Sequence, residues 1–262
     1  MSGEAPGFAD HFSRIAGDYA TYRPRYPAAL LTWLAGAAPS RRLAWDCACG
    51  SGQATLGLTP HFDRIVATDG SAAQIRRAPP HRKVYHAVAA AEACGLREAT
   101  VSLITVAQAL HWLDLGHFYT EARRVLAPGG LLAAWCYGPS HTGDGAVDEL
   151  VGEYHHGTVG PYWPKGRELV EAAYRTIPFP FNELGAPLFE MTAEWTLHEL
   201  LGYLRTWSAT GRYITVHGRD PVSDLARPLG RAWGAAETSK TIHWPLALRV
   251  GRVGDWSEAA IG

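Results

Sequence analysis

The stretch from Leu43 to Asp69 limits the possible folds of this chain more than any other. Leu43 to Cys47 is a short, mostly apolar run, as required of a strand buried on both faces of a parallel sheet. It leads into Ala48-Cys49-Gly50-Ser51-Gly52, small residues that let backbone come close to a ligand without a bulky side chain in the way. Gln53 to Thr59 resumes as a helix start, and Arg64 to Thr68 forms a second apolar strand that ends on Asp69. A glycine turn at one strand end and an acid at the next is how an α/β fold holds a nucleoside. The acid accepts hydrogen bonds from ribose hydroxyls while the turn backs onto the rest of the ligand.

The spacing discriminates among nucleoside cofactors. A dinucleotide fingerprint needs Gly-x-Gly-x-x-Gly, and counting from Gly50 and Gly52 the third position is Thr55, so a nicotinamide oxidoreductase fits poorly. The run Asp46-Cys47-Ala48-Cys49-Gly50-Ser51-Gly52 instead resembles the motif of class I S-adenosylmethionine (SAM) dependent methyltransferases, an acid followed by x-Gly-x-Gly-x-Gly. Ala48 replaces the first glycine, a substitution of small cost if its φ is negative.

Three further stretches carry the same resemblance, in the same order along Phe8 to Tyr137. Tyr22-Arg23-Pro24-Arg25-Tyr26-Pro27 resembles the N-terminal lid of small-molecule methyltransferases. Gln108-Ala109-Leu110-His111-Trp112 closes the fourth strand, Val101 to Ala107. Leu126-Ala127-Pro128-Gly129-Gly130 is a turn before the fifth strand, Leu131 to Tyr137, because proline and paired glycines stop a helix within a few residues.

The resemblance implies a single α/β domain over residues 1–262, built on a Rossmann-like seven-stranded sheet whose last strand, residues 241–250, is antiparallel. It implies a lid over residues 8–27, a SAM-binding core over 40–137, and helical, substrate-side insertions over 138–240. It also implies cofactor contacts from Asp46, Ala48, Gly50, Gly52, Asp69, Gly70, Ala91, Glu92 and Gln108. Asp69 is expected on the ribose, Ala91 and Glu92 on the adenine side, Gln108 on the methionine part, and Asp46 on the turn or the cofactor amine.

Ligands in open α/β sheets sit outside the carboxyl ends of the strands, which makes His111 a candidate base or substrate contact and leaves Trp112 to the core. Arg23 offers fixed donors for an anionic group, and Tyr22 lies beside it. Trp135, Trp163, Trp195, Trp207 and Tyr213 could stack on a flat substrate, although core packing accounts for most of these rings.

Composition narrows the function classes. A net charge of −1 on 262 residues advertises no nucleic-acid surface, and no apolar run approaches the roughly 20 residues of a membrane span. The polar start, Met1 to Gly7, carries no signal peptide, so a cytoplasmic location is expected. Four cysteines form no disulfide framework, and Cys47-x-Cys49 lacks the companions of a zinc site, so no metal is expected.

The sequence therefore reads as a SAM-dependent methyltransferase of small molecules, monomeric or homodimeric. It resembles two groups: enzymes that esterify small acids such as trans-aconitate, and enzymes that N-methylate azaheterocycles such as toxoflavin. The aromatic-rich second half favours the heterocycle. A non-catalytic SAM-binding protein and an NAD-dependent oxidoreductase are the readings from other classes.

Overall fold

The computed structural model describes residues 24–254, so Tyr22, Arg23 and most of the expected lid lie outside the described residues. The chain divides into two compact units. The larger holds Tyr26–Tyr137, Glu168–Phe189 and the chain from Leu246 onward, and the smaller holds Gly138–Arg167 and Glu190–Pro245.

The strands are β1 (Leu43–Cys47), β2 (Arg64–Asp69), β3 (Val84–Val88), β4 (Val101–Ala107), β5 (Leu126–Tyr137), β6 (Asn182–Glu183), β7 (Phe189–Trp195) and β8 (Lys240–Arg252). The sheet has eight strands rather than the seven expected: seven follow the order β3-β2-β1-β4-β5-β8-β6, and β7 pairs with β8 off this path. β1 to β5 run parallel. The Leu246–Arg252 part of β8 pairs antiparallel with β5, and β6 pairs antiparallel with β8. This is the Rossmann-like sheet expected from the sequence, with its antiparallel last strand.

Helices α1 (Ala28–Ala37), α2 (Gln53–Leu58), α3 (Ala72–Ile75) and α4 (Leu115–Val125) connect these strands. α4 begins where the Asp114 side chain accepts from the His117 N–H, satisfying one donor of the first turn. Its Phe118, Ala122 and Val125 recur at helical spacing and bury against Trp45, Ile104, Val106, Leu132 and Ala134 of the sheet. β3 is the open edge, with Tyr85 58% and Val88 55% exposed.

β5 starts five residues earlier than the sequence suggests. Pro128-Gly129-Gly130 lies inside the strand as an irregularity, with the register shifting between Val101 and Leu103 of its neighbour. Gly129 has φ +72°, and a Cβ on Gly130 would lie 2.8 Å from the Ala127 carbonyl, so both glycines are required for the kink. Arg252 of β8 donates to the Gly129 carbonyl at 2.9 Å and to the Ala37 carbonyl at 3.0 Å, tying the kink to the end of α1.

The smaller unit contains helix α5 (Gly145–Glu153). The five-residue α6 (Arg167–Glu171) follows in the chain, and the smaller unit then resumes with α7 (Leu197–Arg205), α8 (Ser208–His217) and α9 (Val222–Trp233). Thr196 and Glu199 form a capping box, with the Thr196 N–H donating to Glu199 at 2.8 Å. The core of this unit is aromatic. Trp195 packs on Trp244 at 4.9 Å between ring centroids, Tyr203 on Trp207 at 5.8 Å, and Trp163 on Trp207 at 5.4 Å.

Candidate active site

The glycine turn leaves β1 and is fixed by both neighbouring strands. The Cys49 N–H donates to the Thr68 carbonyl at 2.9 Å, and the Gly50 N–H donates to the Asp69 carboxylate at 2.9 Å. The other Asp69 oxygen accepts from the Ser71 N–H at 2.8 Å. Asp69 thus braces the turn at the carboxyl end of β2, where the sequence places it for ribose. A Cβ at Gly50 would meet nothing within 4 Å, and the same holds at Gly70, so open space adjoins both the turn and the acid. That opening, flanked by an ionisable acceptor and backbone donors, is what a nucleoside cofactor requires.

The turn departs from expectation at Ala48. Its φ is +53°, in the left-handed region rather than the negative region that would make alanine inexpensive. Alanine here keeps a glycine's backbone geometry at a cost, and its methyl packs against the sheet core. Gly50 (φ +55°) and Gly52 (φ +89°) adopt left-handed geometry freely, and Gly52 precedes the first residue of α2.

Asp46 faces inward. It is fully buried, and its two oxygens accept from the hydroxyls of Thr55 and Thr105, the latter at 2.8 Å. Burial pushes its carboxyl up to about 6 against the opposing pull of these hydroxyls. Both Asp46 oxygens are thus taken up by protein hydroxyls of α2 and β4. Thr55, the residue that breaks the dinucleotide fingerprint, is the one that ties α2 to this acid. Neither Thr55 nor Thr105 stands out in the sequence, because the single signal for them is a hydroxyl at a buried position.

The carboxyl ends of β4 and β5 form the other side of the site. Gln108 has φ +57°, and its N–H donates to the Trp135 carbonyl at 2.8 Å. Its amide pairs twice with Tyr137, accepting from the N–H at 2.9 Å and donating to the carbonyl at 3.1 Å. Gln108 therefore extends the β4–β5 ladder with its side chain, a job not foreseen for it. His111 lies in a single 3₁₀ turn, Leu110–Trp112, and its Nδ1 pairs with the Tyr174 hydroxyl at 2.8 Å. Trp112, expected in the core, is 40% exposed and packs on the His111 ring at 4.7 Å, because the 3₁₀ turn is too short to carry both rings inward.

Trp135 is fully buried on β5, with the Tyr26 ring edge-on at 5.3 Å. Among the described residues its indole N–H has no hydrogen-bond partner. The contrast with other tryptophans is informative. Trp45 donates to Thr68, Trp163 to the His155 carbonyl, Trp233 to the Thr238 carbonyl and Trp244 to Tyr203.

In the loop after β3, expected on the adenine side, the Ala89 N–H hooks to the Asp69 carbonyl at 3.1 Å, and Ala91 is buried just beyond it. Glu92 accepts from the Asp114 N–H at 3.1 Å, which binds this loop to the start of α4. Trp163, Trp195, Trp207 and Tyr213 belong to the smaller unit, and their ring contacts there are those of a packed core.

Comparison with known proteins adds independent support. Residues 45–134 match the family model described as a methyltransferase domain. The chain is 31% identical over 229 residues to a Dictyostelium discoideum protein described as a methyltransferase, covering 86% of this chain and 87% of that one. It is 27% identical over 128 residues, 45% of this chain and 44% of the relative, to a Saccharomyces cerevisiae protein described as an S-adenosylmethionine-dependent methyltransferase. A solved structure from Anaeromyxobacter dehalogenans, described as a type II methyltransferase, superposes with a TM-score of 0.82 at 47% identity. It covers 88% of this chain and 97% of its own.

Proposed function

The chain belongs to the class I SAM-dependent methyltransferase family, and from that premise we propose that it methylates a small molecule, with a ring nitrogen of a flat azaheterocycle as the acceptor. SAM supplies a methyl group on a sulfonium, which leaves readily as a thioether. The protein's task is then to bind both partners, align them and keep water out. In this reading Asp69 holds the ribose hydroxyls, Ala48 to Gly52 and Gly70 line the ribose and methionine region, and Ala91 borders the adenine. Asp46 and Gln108 act on the protein itself, the first fixing the turn and the second the ends of β4 and β5.

The observation that carries the substrate side is the unpartnered indole N–H of buried Trp135. A buried donor without an acceptor costs about 1–3 kcal/mol, so a ligand that brings an acceptor recovers that energy on binding. Planar heterocycles carry such acceptors as ring nitrogens or carbonyls. Trp112, exposed beside His111, offers an aromatic face.

Methyl transfer from labelled SAM to a panel of azaheterocycles and small carboxylic acids tests the proposal. Turnover of heterocycles is expected. Turnover confined to the acids would replace this reading with carboxyl esterification.

A further inference from the structure

His111 is held by a residue distant in sequence, and the way the chain delivers that residue is unusual. Tyr174 lies 63 positions away, fully buried, with its hydroxyl 2.8 Å from His111 Nδ1. It arrives through a strained backbone, since Ala173 (φ +55°) and Tyr174 (φ +56°) are consecutive left-handed residues and neither is glycine. Strain of this kind persists only where the surroundings over-determine it.

The surroundings are visible. Arg249 of β8 donates through Nη1 to the Tyr174 carbonyl at 3.1 Å and to the Ile177 carbonyl, clamping the turn from both ends. The guanidinium lies over the Phe179 ring at 4.6 Å and pairs with Glu183 of β6. Glu183, Arg249, the Tyr174 backbone, the Tyr174 hydroxyl and His111 thus form one connected series. Ala48 and Gln108, also left-handed without being glycine, stand at the ends of β1 and β4. Of the five such residues described, Ala99 alone has no place in the site.

We infer that Tyr174 is a positioning residue whose phenol donates to His111 Nδ1, fixing the ring plane and keeping the proton on Nε2. An imidazole nitrogen is a strong acceptor and a neutral phenol a good donor, which sets the direction of the bond. His111 then meets substrate as a hydrogen-bond donor through Nε2, and proton abstraction is not its resting function. This inference rests on the proposed placement of His111 at the substrate, and it agrees with an acceptor-bearing ligand.

The test is the ¹⁵N spectrum of the His111 imidazole in the full chain, assigned by its loss in His111→Gln and recorded at a pH where the ring is neutral. In the wild type, Nε2 should carry the proton, with Nδ1 displaced from the position of a free unprotonated nitrogen. In Tyr174→Phe that displacement should vanish while S-adenosylhomocysteine affinity stays within about twofold. Arg249→Lys, which keeps the charge but not the two-carbonyl reach, should reduce the displacement and covers the case of a poorly folded Tyr174→Phe. A proton on Nδ1 in the wild type, or an Nδ1 resonance unmoved in both variants, would overturn the inference. Because the readout needs no substrate, its failure is distinguishable from failure of the heterocycle proposal.

Discussion

Asp46→Asn gives the sharpest test of how the cofactor turn is anchored. Burial pushes the Asp46 carboxyl up to about 6, whereas the unfolded chain titrates it at 3.8. Between these values the folded state binds more protons than the unfolded state, so stability falls as pH rises through this window. About 2 pH units at ~1.4 kcal/mol each set the loss at about 3 kcal/mol once Asp46 is fully charged. Glu121 works in the opposite direction, because the Arg124 guanidinium holds its carboxyl down at about 2, and its stabilisation is lost as pH falls below 4.5. That contribution is common to both proteins and cancels in the difference. Urea unfolding of wild type and Asp46→Asn from pH 4 to 7.5 should therefore show the wild type losing about 2–3 kcal/mol relative to the variant as pH rises. Parallel curves would mean that Asp46 does not titrate in isolation from water, and that the two threonine hydroxyls do not face a desolvated carboxylate.

Three further outcomes follow from the same geometry. Asp69→Ala should weaken S-adenosylhomocysteine binding at least about tenfold by calorimetry, since a hydrogen bond to a charged group contributes ~1.5–3 kcal/mol; unchanged affinity would remove Asp69 from the ribose. Ala48→Gly should leave stability unchanged or raise it by up to ~1 kcal/mol, relief of left-handed strain being partly offset by lost methyl packing and greater unfolded-state freedom. A loss above that size in a thermal melt would show that the methyl outweighs the strain. Trp135→Phe deletes the unpartnered donor but also part of a fully buried bicyclic ring, so relief of ~1–3 kcal/mol from the donor should offset much of the packing loss and leave the ligand-free protein less destabilised than a buried large-to-small substitution ordinarily is. A loss of the full ~3–5 kcal/mol of a truncated buried aromatic would show that the indole N–H is satisfied within the protein.

What the sequence made legible, and what it hid, divides along physical lines. Leu43–Cys47 and Val101–Ala107 matched their strands because a parallel strand covered on both faces must be a short apolar run. The glycine turn was recognisable because close backbone approach excludes most side chains. Ala48 misled because alanine ordinarily avoids positive φ, and what holds it there comes from tertiary contacts. Gln108 was expected on the methionine part, but amide side chains imitate backbone, and its pairing with Tyr137 depends on a register that no local pattern encodes. Tyr174 and Arg249 left no signal at all: their meeting needs two left-handed residues, Ala173 and Tyr174, shortly after α6 and the return of β8 beside β5. The tryptophans of the smaller unit read alike as core or pocket, since bulk and aromaticity serve both.

The order of synthesis gives the Arg252 contacts a consequence of their own. The residues that cover the free edge of β5 and tie Gly129 to Ala37 belong to the last of the described strands to leave the ribosome. At about 5–20 residues per second, β5 is made several seconds before its neighbour β8. For that interval an apolar strand presents unpaired backbone to solvent or to a chaperone. Loss of only the final turns of ribosome transit, by a stop codon just ahead of Leu246, would leave the parallel half of the sheet complete and its most aggregation-prone edge permanently open.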